Sequence, residues 1–239
     1  MKNVHYPNRT SASVRTPFLL VNFKAYPEAL GAKAVALARI CADVAEDAGR
    51  SLAVAPSAFD LALVAKSVRI PVFAQHLDPQ ETGKATGWIP PEAALAAGAV
   101  GTIVNHSERK VAWEEMRDLI NKCRVMGLEV VVCADDVAEA ETAAKLGPDF
   151  LAIEPPELIG GTVSVTTAKP GIITKAVDRI HATNPKVQVL CGAGVKTGRD
   201  VARALELGAV GVLLASGVVK AKSPEKVLRD LAKGLVRAA

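Results

Sequence analysis

The sequence predicts a closed parallel barrel of eight β/α units, from eight short apolar runs, helical spacing between them and glycines at the joins. The runs are Phe18 to Val21, Leu52 to Ala55, Val72 to Ala74, Val100 to Val104, Val130 to Cys133, Phe150 to Ile153, Val187 to Cys191 and Gly211 to Ala215. Strands apolar along their whole length have both faces covered, the condition of a wholly parallel sheet wrapped in helices. At 239 residues, half of them hydrophobic, the chain has the length and the core of one α/β barrel and needs no linker. Eight units in this length favour closure over an open doubly wound sheet.

Residues 1 to 16, MKNVHYPNRTSASVRT, carry basic but no acidic groups and show no apolar face at either period. They are read as a flexible extension ahead of a single barrel domain at 17 to 239. Helical spacing runs over Ala29 to Ala48, Trp113 to Met126, Val137 to Leu146, Gly171 to Ala182, Arg199 to Leu207 and Pro224 to Val236, segments rich in Ala, Leu, Glu, Lys and Arg. Gly98, Gly127, Gly147 and Gly208 stand between a helical segment and a strand, where a left-handed residue turns the chain into the sheet. Gly98-Ala99-Val100-Gly101 returns as Gly208-Ala209-Val210-Gly211, each time entering a strand, so the units are equivalent.

Composition narrows the function. No apolar stretch is long enough to span a bilayer, and the N-terminus lacks the apolar core and cleavage site of a secretory signal, so a soluble cytoplasmic protein is expected. Cys41, Cys123, Cys133 and Cys191 are scattered, with no Cys-x-x-Cys pair and no histidine at ligand spacing; free, buried thiols are expected and no metal. The net charge of +4 is spread among interspersed acids, and two Trp and two Tyr leave little for base stacking. Nucleic acid and membrane partners are not expected; a small anionic substrate is.

On a parallel barrel the active site lies at the C-terminal ends of the strands. The first strand ends Val21-Asn22-Phe23-Lys24, the fourth Val104-Asn105-His106-Ser107-Glu108 and the sixth Ile153-Glu154. An ammonium, an imidazole and a carboxylate on one rim form a set suited to moving a proton next to a carbonyl. The other three histidines, His5, His76 and His181, fall in the extension, in a loop and in a helix, which leaves His106 the best placed. After Glu154, Pro155 and Pro156 stiffen the root of a loop whose tip, Gly160-Gly161, keeps its freedom, the make-up of a lid. Cys191-Gly192-Ala193-Gly194-Val195 and Leu214-Ala215-Ser216-Gly217-Val218 follow the last two strands, where barrels hold phosphate on backbone N–H groups. The first of these is no dinucleotide fingerprint, because the next glycine is Gly198 rather than one at 197.

Asn22-Phe23-Lys24, Asn105-His106-Ser107-Glu108-Arg109, Glu154-Pro155-Pro156-Glu157-Leu158-Ile159-Gly160, Cys191-Gly192-Ala193-Gly194 and Leu214-Ala215-Ser216-Gly217 resemble the motifs of the triosephosphate isomerases in their compact archaeal form. The resemblance runs from about Phe18 to the C-terminus. It implies a TIM barrel in which Glu154 is the base that interconverts dihydroxyacetone phosphate and D-glyceraldehyde 3-phosphate through an enediolate, in glycolysis and gluconeogenesis, without metal or cofactor. It implies that His106 is the electrophile, kept neutral by the N-terminus of the helix that follows. Lys24 and Asn22 would supply charge and a hydrogen bond, and Glu108 would pair with Lys24 behind the substrate. Ile159, Gly160, Gly194, Ala215 and Ser216 would hold the phosphate, leaving Glu157 facing solvent. Thr86-Gly87 resembles a segment inserted into a neighbouring subunit, which implies a homo-oligomer, dimer or tetramer. The chain departs from the family at Gly161-Thr162, whose order is the reverse of the usual Thr-Gly, and in its extension. The alternatives are a Schiff-base aldolase, which would want a lysine where Glu154 stands, another phosphosugar isomerase on this barrel, and a non-catalytic phosphate-binding barrel.

Overall fold

Each apolar run becomes a strand in the computed structural model, which describes residues 14–159 and 164–236. The strands are β1 (Phe18–Asn22), β2 (Ser51–Ala55), β3 (Phe73–Ala74), β4 (Gly101–Val104), β5 (Glu129–Ala134), β6 (Phe150–Ile153), β7 (Gln188–Cys191) and β8 (Gly211–Leu214). All pairings are parallel, in the order β2-β1-β8-β7-β6-β5-β4-β3. A parallel bridge between Val54 and Val72, with Val54 N–H donating to the Pro71 carbonyl at 3.1 Å, joins β2 to the start of β3 and closes the ring. The extension expected at 1 to 16 lies outside the described residues as far as residue 13, and Gly160, Gly161 and Thr162 lie outside them altogether.

The helices are α1 (Ala32–Ala48), α2 (Leu61–Ser67), α3 (Pro91–Ala96), α4 (Trp113–Met126), α5 (Val137–Ala144), α6 (Val165–Ala168), α7 (Pro170–Thr183), α8 (Gly198–Glu206), α9 (Ser216–Val219) and α10 (Pro224–Lys233). The helix expected from Ala29 starts only at Ala32, because Pro27–Ala29 winds as a 3-10 turn and Gly31, at φ 58°, interrupts the winding. Helices α2, α3, α6 and α9 have four to seven residues, too few turns for an apolar stripe to repeat. The repeated tetrapeptide has the same form in both places. Gly98 and Gly208 lie at φ 96° and 97°. Gly101 and Gly211 open β4 and β8, where a Cβ would come within 2.4 Å of the Glu129 and Phe18 carbonyl oxygens of the neighbouring strands.

Side chains alternate between two cores. Phe18 and Leu20 of β1, Val131 and Cys133 of β5, and Phe150 and Ala152 of β6 fill the barrel interior, with the Phe18 and Phe150 rings edge to face at 5.3 Å. Leu19, Val21, Val130, Val132, Leu151 and Ile153 face outward to helix residues such as Leu37, Ile120 and Ile173. This alternation aims the site: inward at Phe150 and Ala152 means inward again at Glu154, and inward at Phe18 and Leu20 means inward at Asn22. The four cysteines are free and buried. Among the described residues no helix is long and apolar enough to cross a membrane.

Candidate active site

The residue after β6, Glu154, stands at the C-terminal mouth of the barrel, 6% exposed, its N–H bonded to the Ala134 carbonyl at 2.9 Å. Parallel pairing of Ile153 with Cys191 sets Gly192 directly beside it, and a Cβ at 192 would come within 2.3 Å of Glu154 Cγ. Glycine at 192 is therefore what leaves room for this carboxylate. Burial pushes the Glu154 carboxyl above its usual range, against the pull of His106, a hydrogen bond from Cys133 and the charge of Lys24. Its Oε2 is buried and has no hydrogen-bond partner among the described residues. A desolvated, poorly partnered carboxylate is a stronger base than a solvated one.

His106 Nε2 lies 3.6 Å from that oxygen. Regular alternation after Ile103 would turn His106 outward, but Asn105 takes a left-handed φ of 60° and breaks the alternation, bringing the ring to the cleft. The Glu108 N–H donates to His106 Nδ1 at 3.1 Å. A backbone N–H can only donate, so Nδ1 is the acceptor and the neutral ring carries its proton on Nε2, facing Glu154. This amide belongs to the turn from His106 to Arg109, whereas the helix expected to follow the ring, α4, begins only at Trp113.

Lys24 has φ 48°, another non-glycine left-handed residue. Its backbone is pinned from both sides: its N–H donates to Asn22 Oδ1 at 2.9 Å, and its carbonyl accepts from Gln75 Nε2 at 2.9 Å. The ammonium is bound to Glu108 Oε1 at 2.8 Å, with the Lys24 side chain 10% exposed and Glu108 59%. Asn22, Lys24, His106, Glu154, Ile159, Gly194, Ala215 and Ser216 all border one cleft, together with Tyr26 and Lys196. Gly160 is the one expected site residue that falls outside the described residues. Also on the cleft border, Ala193 and Gly194 lie at φ 68° and 71°, and α9 opens at Ser216; the Val218 and Val219 N–H groups donate to the Ala215 carbonyl at 3.0 Å, which leaves those of Ser216 and Gly217 as the first-turn amides with no acceptor inside the helix. Glu157 is exposed, as expected, and its Oε1 pairs with Lys169 Nζ at 2.5 Å.

Two contributors went unread in the sequence. Gln75 also donates to the Ala55 carbonyl at 2.9 Å, so one carboxamide ties β2 to the Lys24 turn. Cys133 sits under Glu154, and only its inward parity on β5 could have pointed to it.

A family model described as triosephosphate isomerase matches residues 17–233. The chain is 48% identical over 216 residues to the triosephosphate isomerase of Methanothermobacter thermautotrophicus, covering 90% of this chain and 94% of that one. It is 46% identical over 223 residues to the triosephosphate isomerase of Caldivirga maquilingensis, covering 93% and 99%. Against that of Methanocaldococcus jannaschii the identity is 43% over 215 residues, covering 90% and 98%.

Proposed function

This chain belongs to the triosephosphate isomerase family, and from that we infer that it interconverts dihydroxyacetone phosphate and D-glyceraldehyde 3-phosphate in the cytoplasm, as a step of glycolysis and gluconeogenesis. The single observation that carries the mechanism is the facing pair of Glu154 Oε2 and His106 Nε2, 3.6 Å apart across the floor of the cleft.

Glu154 removes the proton from the hydroxyl-bearing carbon and returns it to the neighbouring one. The electron pair moves onto the carbonyl oxygen, the Nε2–H of His106 stabilises the enediolate that results, and the hydroxyl proton passes to the former carbonyl oxygen, so that the hydroxyl oxygen becomes the new carbonyl. A neutral imidazole suits the task because its N–H is a weak acid matched to an enediolate, and the Glu108 amide on Nδ1 favours that tautomer. The Lys24 ammonium offsets the charge that develops. Amides of Gly194, Ala215 and Ser216, with Ile159 and Gly160 from the lid, hold the phosphate. A closed lid would exclude water, raising the basicity of Glu154 and protecting the enediolate from phosphate loss. The Schiff-base alternative has nothing to work with at the sixth strand end, which carries a carboxylate.

The test is a coupled assay on D-glyceraldehyde 3-phosphate with Glu154→Asp and His106→Asn beside the wild type. Each variant should lose on the order of 10²-fold or more in kcat. Equal rates in all three would overturn the reading.

We also propose a homo-oligomer. Its support is the loop bearing Thr86-Gly87, with Trp88 49% exposed, and the fully exposed Phe59 in the β2–α2 loop, two large apolar groups that favour burial against a partner. Sedimentation at a single-chain mass across micromolar concentrations would contradict it.

A further inference from the structure

The carboxylate of Glu139 lies in a different β/α unit from His106, yet its bonds converge on the two ends of the histidine loop. On one side, Glu139 Oε1 accepts from Asn105 Nδ2 at 2.9 Å, from the residue just before His106. On the other, Glu139 Oε1 and Oε2 accept from Lys110 Nζ at 3.0 and 3.1 Å, four residues after it. Asp135 adds a second carboxylate to Lys110 at 2.8 Å. The site is partly shielded, with the Glu139 side chain 21% exposed.

Asn105 is what Glu139 steadies. Its left-handed backbone re-aims His106, and a non-glycine residue holds that conformation only where its surroundings fix it. Here the carboxamide is fully engaged: Nδ2 also donates to the Cys133 carbonyl at 2.9 Å, and Oδ1 accepts from Val111 N–H at 3.2 Å. A flipped amide would set its oxygen against two acceptors, so the Glu139 charge and the Cys133 carbonyl together select one orientation.

Glu139 also serves its own helix. It is the third residue of α5, its N–H donates to the N-cap Asp136 at 2.8 Å, and its Oε2 reaches back to Asp135 N–H at 2.7 Å. Those bonds are an ordinary helix cap. Capping does not require the bonds to Asn105 and Lys110, which leave the α5 unit altogether.

We propose that Glu139 is a positioning residue for His106, bracing both ends of its loop so that Nε2 is presented to the substrate oxygen. The proposal rests on the assignment of His106 as the electrophile. Displacing a reacting group by a fraction of an ångström is enough to change the rate while leaving the phosphate contacts intact.

The experiment is a cycle of wild type, Glu139→Ala, His106→Gln and the double variant, read by kcat and KM with folded fractions matched by thermal unfolding. Glu139→Ala should lower kcat on the order of tenfold with KM changed less than about twofold. In the His106→Gln background the same change should cost less than about twofold, since the group it positions is gone. Glu139→Gln, which keeps size and one acceptor, should recover part of kcat and stands in should Glu139→Ala fail to fold. An equal loss in both backgrounds, a lowered melting temperature with kcat unchanged, or a fall in kcat/KM carried by KM alone would each overturn the proposal. A His106→Gln variant as fast as wild type would instead overturn the assignment on which it rests.

Discussion

Gly192→Ala tests whether the observed Glu154 conformation is the reactive one. The added methyl carbon would lie 2.3 Å from Glu154 Cγ and 2.8 Å from both Cδ and Oε1, whereas ordinary contact is 3.4–4 Å. The side chain must therefore retreat by more than an ångström, or strands β6 and β7 must part. Strand parting is opposed by the parallel ladder from Phe150–Gln188 to Ile153–Cys191, so the movable partner is the carboxylate itself. A misplacement of about 1 Å at the reacting group costs on the order of 10²-fold in rate. Overpacking at a buried position adds about 1–3 kcal/mol of lost stability. The coupled assay should then find kcat down about a hundredfold with KM little changed, and thermal unfolding should find a folded protein with a lower midpoint. A Gly192→Ala enzyme with wild-type kcat would refute the reasoning, because the base would be acting from somewhere this methyl does not reach.

At Lys24, two substitutions separate charge from backbone strain. Lys24→Ala and Lys24→Gly should both lose most activity, but only glycine relaxes the φ of 48°, so Lys24→Gly should be the more stable by about 1 kcal/mol in denaturant unfolding; equal stability would contradict the strain. Glu154→Gln should abolish turnover and stabilise the fold at neutral pH, because a buried carboxyl held above its usual range resists ionisation. The sign follows from proton linkage. The native state binds this proton more tightly than the unfolded chain, so wild-type stability falls relative to the variant as pH rises through the folded pKa. The gap should close below the ordinary carboxylate value of 4.5. A gap that widens toward acid pH in paired melting curves would contradict it.

The parts legible in the sequence are those written in local pattern. The β6 run ended where the strand ends, and Glu154 was found because a carboxylate closing an apolar run is visible without any partner. Gly98 and Gly208 marked their turns because a left-handed residue has a compositional signature. What stayed hidden depends on register between distant strands. Gly192 looked like a loop residue, and only the pairing of β6 with β7 makes it the neighbour of Glu154. Glu139 draws no attention in the sequence, since nothing local announces that Asn105 Nδ2 stands 2.9 Å from its carboxylate. The turn from His106 to Arg109, which stands between the ring and α4, stayed hidden for a related reason: turns of that length leave no periodic trace.

The central claim is that Glu154 carries a proton between adjacent carbons, and isotope exchange tests it most directly. Dihydroxyacetone phosphate converted in deuterium oxide should yield D-glyceraldehyde 3-phosphate carrying solvent deuterium on the newly protonated carbon, because a carboxylic acid exchanges with water during the lifetime of the enediolate. Glu154→Gln should yield neither product nor labelled starting material. Product formed by the wild type wholly without deuterium would point to direct hydride transfer between the carbons, and would contradict the account.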